Sequence, residues 1–107
     1  MRFLCEANPQ NQRKHYFCGK FERMNTLSVV IITFNEERNI HRCIDSIVPV
    51  ADEIIVVDSN STDDTEAICR NFANLNFVKH DWEGYVDQKN FANSLATKDL
   101  ILSIDAD

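Results

Sequence analysis

The chain alternates short apolar runs with longer amphipathic stretches. Two runs, 27–33 (LSVVIIT) and 53–58 (EIIVVD), are almost continuously aliphatic and rich in β-branched residues. That composition is typical of strands covered on both faces, as in a parallel sheet. Weaker runs at 76–79 and 100–104 predict a third and a fourth strand.

The stretch after the first strand has the period of an amphipathic helix. We expect Asn35 to cap this helix, and Glu36 and Glu37 to lie at the positive end of its dipole. Pro49 is expected to end it. The apolar positions follow the i, i+3, i+4, i+7, i+8 spacing of one buried face: Ile40, Cys43, Ile44, Ile47 and Val48.

Two more helices are predicted at 63–73 and 85–96. The resulting order, β-α-β-α-β-α-β, predicts an α/β fold with a Rossmann-like parallel sheet and helices on both faces. In such sheets, ligands bind outside the carboxyl ends of the strands. Polar residues follow three of the four predicted strands there: Thr33-Phe34-Asn35, Asp58, and Asp105 with Asp107.

Asp105 and Asp107 follow the last predicted strand. Both carboxylates can reach one hard cation or a ribose hydroxyl, and Mg²⁺ commonly takes one or two carboxylates plus substrate phosphates. No GxGxxG or GxxxxGK[ST] motif occurs, so a bound phosphate needs a metal or a basic side chain. We expect the sequence to be the front part of a longer protein, truncated after its fourth strand. The strand at 100–104 would then lie on an open edge, which favours self-association.

Length and charge narrow the classes of protein. With 107 residues, 44% of them hydrophobic, the chain is long enough for one small domain. A net charge of -6 argues against nucleic-acid binding.

We divide the chain into an N-terminal extension of uncertain structure, 1–24, and a domain, 25–107. The extension lacks periodicity, so we favour Met24 as the natural start and expect deletion of 1–23 to leave folding intact. The alternative is an ordered extension on the domain edge.

The four cysteines have neither zinc-site nor CxxC spacing. Cys43 and Cys69 fall on apolar helix faces and are predicted to be reduced core residues. For Cys5 and Cys18 we favour free thiols over a disulfide. With no signal-peptide pattern, these features predict a cytoplasmic protein. No apolar stretch is long enough to span a bilayer, so any membrane association is expected to be peripheral, at the inner face of the cytoplasmic membrane, or to reside in a missing C-terminal part.

Three segments in this order resemble the nucleotide-binding half of family-two glycosyltransferases with the GT-A fold. The combination is specific, although each piece alone would be weak. Two later segments resemble, within that family, the bacterial branch that adds sugars to the lipopolysaccharide core. The family segments are 27–37 (LSVVIITFNEE), 53–63 (EIIVVDSNSTD) and 105–107 (DAD), and the branch segments are 80–85 (HDWEGY) and 88–92 (QKNFA).

The resemblance implies a nucleotide-sugar site. Thr33 and Phe34 would line the base pocket. Asn35 and Glu36 would lie near the base and ribose. Asp58 would accept a hydrogen bond from the ring N–H of a pyrimidine, which is compatible with a UDP-sugar donor.

The resemblance also implies how the diphosphate is held. Lys89 would approach the base–ribose or diphosphate region. Asp105 would contact the ribose or a metal-bound water, and Asp107 would bind Mg²⁺ or Mn²⁺ between the phosphates. The implied reaction transfers a sugar, with inversion, to a lipopolysaccharide-core or other glycan or lipid-linked acceptor. In the resembled family the general base lies beyond the acidic motif, so this stretch is implied to bind nucleotide without turnover.

Simpler interpretations stay open. Lys89 can equally be a solvated helix charge, Trp82 and Tyr85 can pack their loop rather than stack on a sugar, and His80 is expected to be structural. Two other functions are a non-catalytic nucleotide-binding module and a receiver-like phospho-acceptor module. A receiver would need an acidic pair directly after the first strand, where Thr33-Phe34-Asn35 stands.

Overall fold

The apolar runs form one five-stranded sheet in the computed structural model, which describes residues 3–10 and 26–106. β2 pairs in parallel with both β3 and β5, and β3 pairs in parallel with β4, so the predicted α/β class with a mainly parallel sheet is confirmed. The sheet order is β1-β5-β2-β3-β4. The elements are β1 (Phe3–Ala7), β2 (Leu27–Thr33), α1 (Ile40–Ile47), β3 (Glu53–Asp58), α2 (Thr65–Arg70), β4 (Leu75–Lys79), α3 (Tyr85–Leu95) and β5 (Leu100–Asp105).

The sequence did not predict β1. This strand runs antiparallel beside β5, with Phe3 opposite Ile104 and Ala7 opposite Leu100. The strand at 100–104 therefore lies between β1 and β2, and the expectation that it forms an open edge is wrong. Part of the predicted N-terminal extension thus lies on the domain edge. Met24, the start that we favoured, lies outside the described residues.

Asn8, at the end of β1, forms hydrogen bonds to the loop before β5. It is 5% exposed, and its side-chain amide donates to the carbonyl oxygens of Ala96 at 3.0 Å and Lys98 at 2.8 Å. Its backbone N–H donates to the carbonyl of Asp99 at 2.8 Å. The first strand is therefore anchored by a buried polar side chain as well as by its ladder.

Alternating side chains of the central strands divide the core into two layers. Val29 and Ile31 pack under α1 and α2, whereas Val30 packs with residues of α3 on the opposite face. Cys43 and Cys69 lie in the first layer as free buried thiols, as predicted. Cys5 is also free but exposed, and Cys18 lies outside the described residues.

The start of α1 was predicted wrongly. The helix begins at Ile40, with Asn39 at the N-cap position and no acidic residue in its first turn. Asn35 lies in the left-handed region at φ 53°, a conformation that short polar side chains tolerate. The backbone therefore makes a turn after β2, and Glu36 and Glu37 belong to that turn rather than to the helix.

The other predicted elements differ mainly at their ends. β2 and β3 have the predicted bounds, and α3 ends one residue early. α2 is shorter than the predicted 63–73, since it begins at Thr65 and ends at Arg70. Among the described residues, no helix is long and apolar enough to cross a bilayer.

Candidate functional site

Two loops at the carboxyl edge of the sheet are joined by hydrogen bonds. Asn35 Oδ1 accepts from the backbone N–H of Thr62 at 2.8 Å, and the backbone N–H of Asn35 donates to Ser61 Oγ at 2.8 Å. The backbone N–H of Glu36 donates to Thr65 Oγ1 at 2.9 Å. The Asn35 side chain therefore holds the β3–α2 loop, and its predicted place near the base and ribose, like that of Glu36, stays a prediction.

Asp63 strengthens the same junction. Its carboxylate accepts from the backbone N–H of Thr65 at 3.0 Å and from that of Glu37 at 3.2 Å. Desolvation raises the pKa of Asp63, but the hydrogen bonds from Thr65 and Glu37 outweigh it and hold the pKa below its usual value. The ionised carboxylate of Asp63 thus links the two loops through hydrogen bonds.

Asp58 ends β3 and is 1% exposed. Its Oδ1 accepts from Thr33 Oγ1 at 2.6 Å and from Ser61 Oγ at 2.5 Å, and its Oδ2 accepts from the Ser61 backbone N–H at 2.7 Å. Thr33, also 1% exposed, lies behind the edge as a partner of Asp58. A carboxylate has about four acceptor positions, of which these bonds use three, and the base contact of Asp58 stays a prediction.

Phe34, Ser59 and Trp82 line a cavity of about 430 Å³, here called the aromatic cavity. Phe34 is 58% exposed and Trp82 is 54% exposed, which is unusual for large apolar side chains. The loop that carries Trp82 is tied to the β3–α2 loop, because Asn60 Nδ2 donates to Asp81 Oδ1 at 2.8 Å. Phe34 therefore lies at an open cavity with an aromatic wall, and its predicted role in the base pocket stays a prediction.

A buried polar network stands behind Ser59. Gln88, on α3, is 0% exposed. Its Nε2 lies 3.0 Å from Ser59 Oγ and 3.4 Å from the carbonyl oxygen of His80, and its Oε1 lies 2.7 Å from His80 Nδ1. The His80 ring stacks on Phe91 with centroids 3.8 Å apart. These contacts give His80 the structural role expected from the sequence.

A second cavity of about 160 Å³, here called the β5 cavity, brings Lys89 and Asp105 together. Tyr85 and Ser103 also line it. Ser103 Oγ is buried and has no hydrogen-bond partner among the described residues. Lys89 and Asp105, which lie far apart in sequence, are thus gathered at one place.

The structure describes one of the two predicted metal ligands, Asp105. Asp107 lies outside the described residues. Within 3–10 and 26–106, no group of three or more histidine, cysteine, aspartate or glutamate side chains is arranged to hold an ion. Asp105 is the one predicted metal ligand in the part of the chain that the structure describes.

Sequence reasoning missed Ser59 and Gln88 as site residues. Ser59 was interpreted as part of a polar turn, and Gln88 only as part of the QKN resemblance. A usable signal was present, since glutamine on a helix face that packs on a sheet needs buried partners. The partner itself could not be read from the sequence, because it depends on how α3 docks on β3.

Solved structures share this architecture. Glucosyl-3-phosphoglycerate synthase from Mycobacterium tuberculosis, in complex with Mn²⁺, uridine diphosphate and glucosyl-3-phosphoglycerate, is 33% identical, with a TM-score of 0.68 over 78% of this chain and 34% of that one. The same enzyme with Mg²⁺ and uridine diphosphate gives a TM-score of 0.64 at 34% identity. The fold and the polar carboxyl edge therefore define a domain of the GT-A type, as the resemblance implied.

Sequence comparison assigns the family. The model of glycosyl transferase family 2 matches residues 28–107, and the chain belongs to that family. An uncharacterized glycosyltransferase of Rickettsia felis is 52% identical over 84 residues, which are 78% of this chain and 29% of that protein. The lipopolysaccharide core biosynthesis glycosyltransferase LpsC of Rhizobium meliloti is 39% identical over 85 residues, covering 76% of this chain and 31% of LpsC. The chain thus spans less than a third of the length of these relatives.

Proposed function

We propose that this chain supplies the donor-binding part of a glycosyltransferase that uses a nucleotide-diphospho-sugar, with UDP as the nucleotide. The observation that carries the proposal is a pair of cavities, one at the carboxyl edge of the sheet and one beside α3 that reaches the end of β5. One has aromatic walls and the other holds a lysine and an aspartate. A nucleotide-sugar has the matching chemistry, a flat base joined to a charged diphosphate.

The aromatic cavity is the proposed base site. Phe34 and Trp82 expose flat π-faces, and stacking on aromatic side chains contributes about 1–3 kcal/mol per nucleobase in other proteins. Asp58 Oδ2 keeps one acceptor position for a ring N–H. The neighbours bound to uridine diphosphate support the choice of a uracil nucleotide.

The β5 cavity is the proposed site of the ribose and diphosphate. The Lys89 ammonium can neutralise phosphate charge, and the unpartnered hydroxyl of Ser103 can satisfy a polar ligand atom. Asp105 offers a hard oxygen donor, which suits Mg²⁺ or Mn²⁺. These residues fit a divalent ion held by Asp105 and Asp107 together with phosphate oxygens. Bound there, the ion would offset charge on the departing nucleoside diphosphate.

For the acceptor we propose a lipopolysaccharide-core or other glycan or lipid-linked hydroxyl, with inversion at the sugar. The similarity to LpsC supports this choice. We also propose that the general base belongs to the part of the relatives' length that this chain does not span. Cytoplasmic location and peripheral contact with the inner membrane face stay predictions.

Titration calorimetry of the 107-residue chain with UDP, in Mn²⁺ and in EDTA, tests the proposal. We expect tighter binding with Mn²⁺, because Asp105 and Asp107 would hold the ion and the ion would neutralise phosphate charge. Asp105→Asn and Asp107→Ala should each weaken the metal-dependent part roughly tenfold, the loss of about one charged contact. Asp87→Asn, an exposed change on α3, is the matched control.

Each result has a distinct meaning. Equal affinity in EDTA would contradict the metal role but leave the nucleotide site. An absence of UDP binding in both conditions would contradict the proposed function.

A further inference from the structure

We propose that β1 completes the β5 cavity as a binding site, so that a nucleoside diphosphate and its divalent cation bind more tightly when β1 is paired with β5. Leu4 supplies the outer wall of the cavity. The family model begins at residue 28, so β1 lies outside the matched part of the chain. The inference rests on the proposed function, because it adds an element to the proposed site of the ribose and diphosphate.

The strand register places Leu4 at the cavity. Leu4 lies opposite Ser103 on β5, and Ser103 lies opposite Val30 on β2. Residues opposite each other on neighbouring strands share one face of the sheet, with side chains roughly 5 Å apart. All three line the β5 cavity, so this row across β1, β5 and β2 forms part of its surface.

β1 covers the side of β5 that faces away from β2. In the sheet order β5 lies between β2 and β1, and β1 is an edge among the described strands. With β1 in place, the Oγ atom of Ser103 is buried, whereas Leu4 on the outer strand is 49% exposed. The Leu4 side chain therefore stands between this side of the cavity and solvent.

Exclusion of water matters here because the cavity holds both charged residues of the proposed site. Lys89 and Asp105 line it together with apolar side chains. Charges attract each other more strongly where water is kept out, since the effective dielectric constant falls from about 80 in water to about 20 near a protein surface. A phosphate beside Lys89 and a cation beside Asp105 should therefore be held more tightly when the wall is present.

Two sets of contacts form the wall before any ligand arrives. Five residue pairs join β1 to β5, and Asn8, at the end of β1, donates to the carbonyls of Ala96 and Lys98. Binding therefore does not have to order the wall. β1 is still a short edge strand, and such elements open locally at a lower free energy than the middle of a sheet.

Titration calorimetry of the 107-residue chain with UDP and Mn²⁺ tests the role of Leu4. We expect Leu4→Ala to weaken UDP binding roughly three- to tenfold, as for the loss of one partly buried leucine side chain. Val86→Ala is the matched control, because Val86 is 70% exposed in the first turn of α3. This control should leave the affinity unchanged. Circular dichroism checks that both variants fold.

Hydrogen exchange of the unsubstituted chain gives a readout that a purely structural strand would not change. Coupling between ligand binding and strand pairing is reciprocal, so UDP with Mn²⁺ should make local opening of β1 rarer. We expect UDP with Mn²⁺ to slow amide exchange in residues 3–8 more than in β4, the opposite edge of the described sheet. This measurement decides alone if Leu4→Ala does not fold.

The outcomes separate this inference from the proposed function. Unchanged UDP affinity in a folded Leu4→Ala variant, or slowing in β1 no greater than in β4, would overturn the inference and leave the proposed function standing. Tighter binding by Leu4→Ala would overturn it as well, because β1 would then obstruct the cavity. Failure of the unsubstituted chain to bind UDP would overturn both.

Discussion

Asp58 shows, at the residue scale, how a predicted ligand residue also holds the fold. It accepts hydrogen bonds from Thr33 and from two groups of Ser61 while buried. We expect Asp58→Ala to lower the free energy of unfolding by about 2–4 kcal/mol, because buried donors lose a charged acceptor. Urea denaturation measures this. Asp64→Ala, an exposed change nearby, should cost much less, and equal losses would contradict the structural role.

This structural role changes how base recognition is tested. Asp58→Ala is expected to reduce discrimination between UDP and purine diphosphates, but a destabilised edge would weaken binding of every nucleotide. Ser59, which lines the aromatic cavity, offers a cleaner substitution, because its side chain makes one hydrogen bond among the described residues rather than several.

The two buried thiols are expected to make the stability of the chain depend on pH. Burial raises the pKa of Cys43 to about 11 and that of Cys69 to about 12. Above about pH 8.5 the unfolded chain loses these protons while the native chain keeps them. Stability should therefore fall as pH rises, by up to about 1.4 kcal/mol per thiol and pH unit.

Urea denaturation between pH 7.5 and 10, under reducing conditions, measures that slope. The double variant Cys43→Ala/Cys69→Ala is the control. It should be less stable at pH 7.5, because buried volume is lost, but its stability should fall less steeply with pH. Parallel slopes would show that other groups cause the dependence.

Residue roles were only partly readable from the sequence. Phe34 directly follows a buried strand and lines the aromatic cavity, whereas its role in the base pocket stays a prediction. Asn35 was misplaced, since a helix cap and a left-handed turn use the same residue type. The choice between them depends on Ser61 and Thr62, which reach Asn35 only in the folded chain.

At the scale of elements, β1 depends on Asn8. We expect Asn8→Ala to lower the free energy of unfolding by about 1–3 kcal/mol, because the carbonyls of Ala96 and Lys98 lose their donor. Thermal or urea melts measure it. Asn76→Ala, an exposed site on β4, is the matched control and should be nearly neutral. The same contacts argue against the expectation that residues 1–23 can be deleted without effect.

Strands were predicted more accurately than helices for a physical reason. β2 and β3 are buried on both faces, so their aliphatic runs mark their ends directly. The boundaries of α1 and α2 depend on hydrogen bonds made by the adjoining loops, which helix propensity does not encode. β1 was missed because its five residues, FLCEA, have little pattern of their own and pair with a distant strand.

At the scale of the whole molecule, the candidate site residues follow three adjacent strands of the sheet. β2 lies between β3 and β5, so Phe34 and Ser59 stand at the ends of one adjacent pair. Asp105 ends the other neighbour of β2. Covering β5 with β1 leaves β1 and β4 as the edges among the described strands. The parallel strands were predicted from the sequence, whereas the added antiparallel strand was not.

The pairing of β1 with β5 also has a consequence for how the chain acquires its structure. The two strands lie at opposite ends of the sequence, so their ladder closes a loop of nearly the full chain length and costs the most closure entropy. During synthesis β1 is made before β2, β3 and β4 but has no ladder partner until residues 100–104 emerge. β2, β3 and β4 can pair before then, whereas β1 can join the sheet only after β5 has been made.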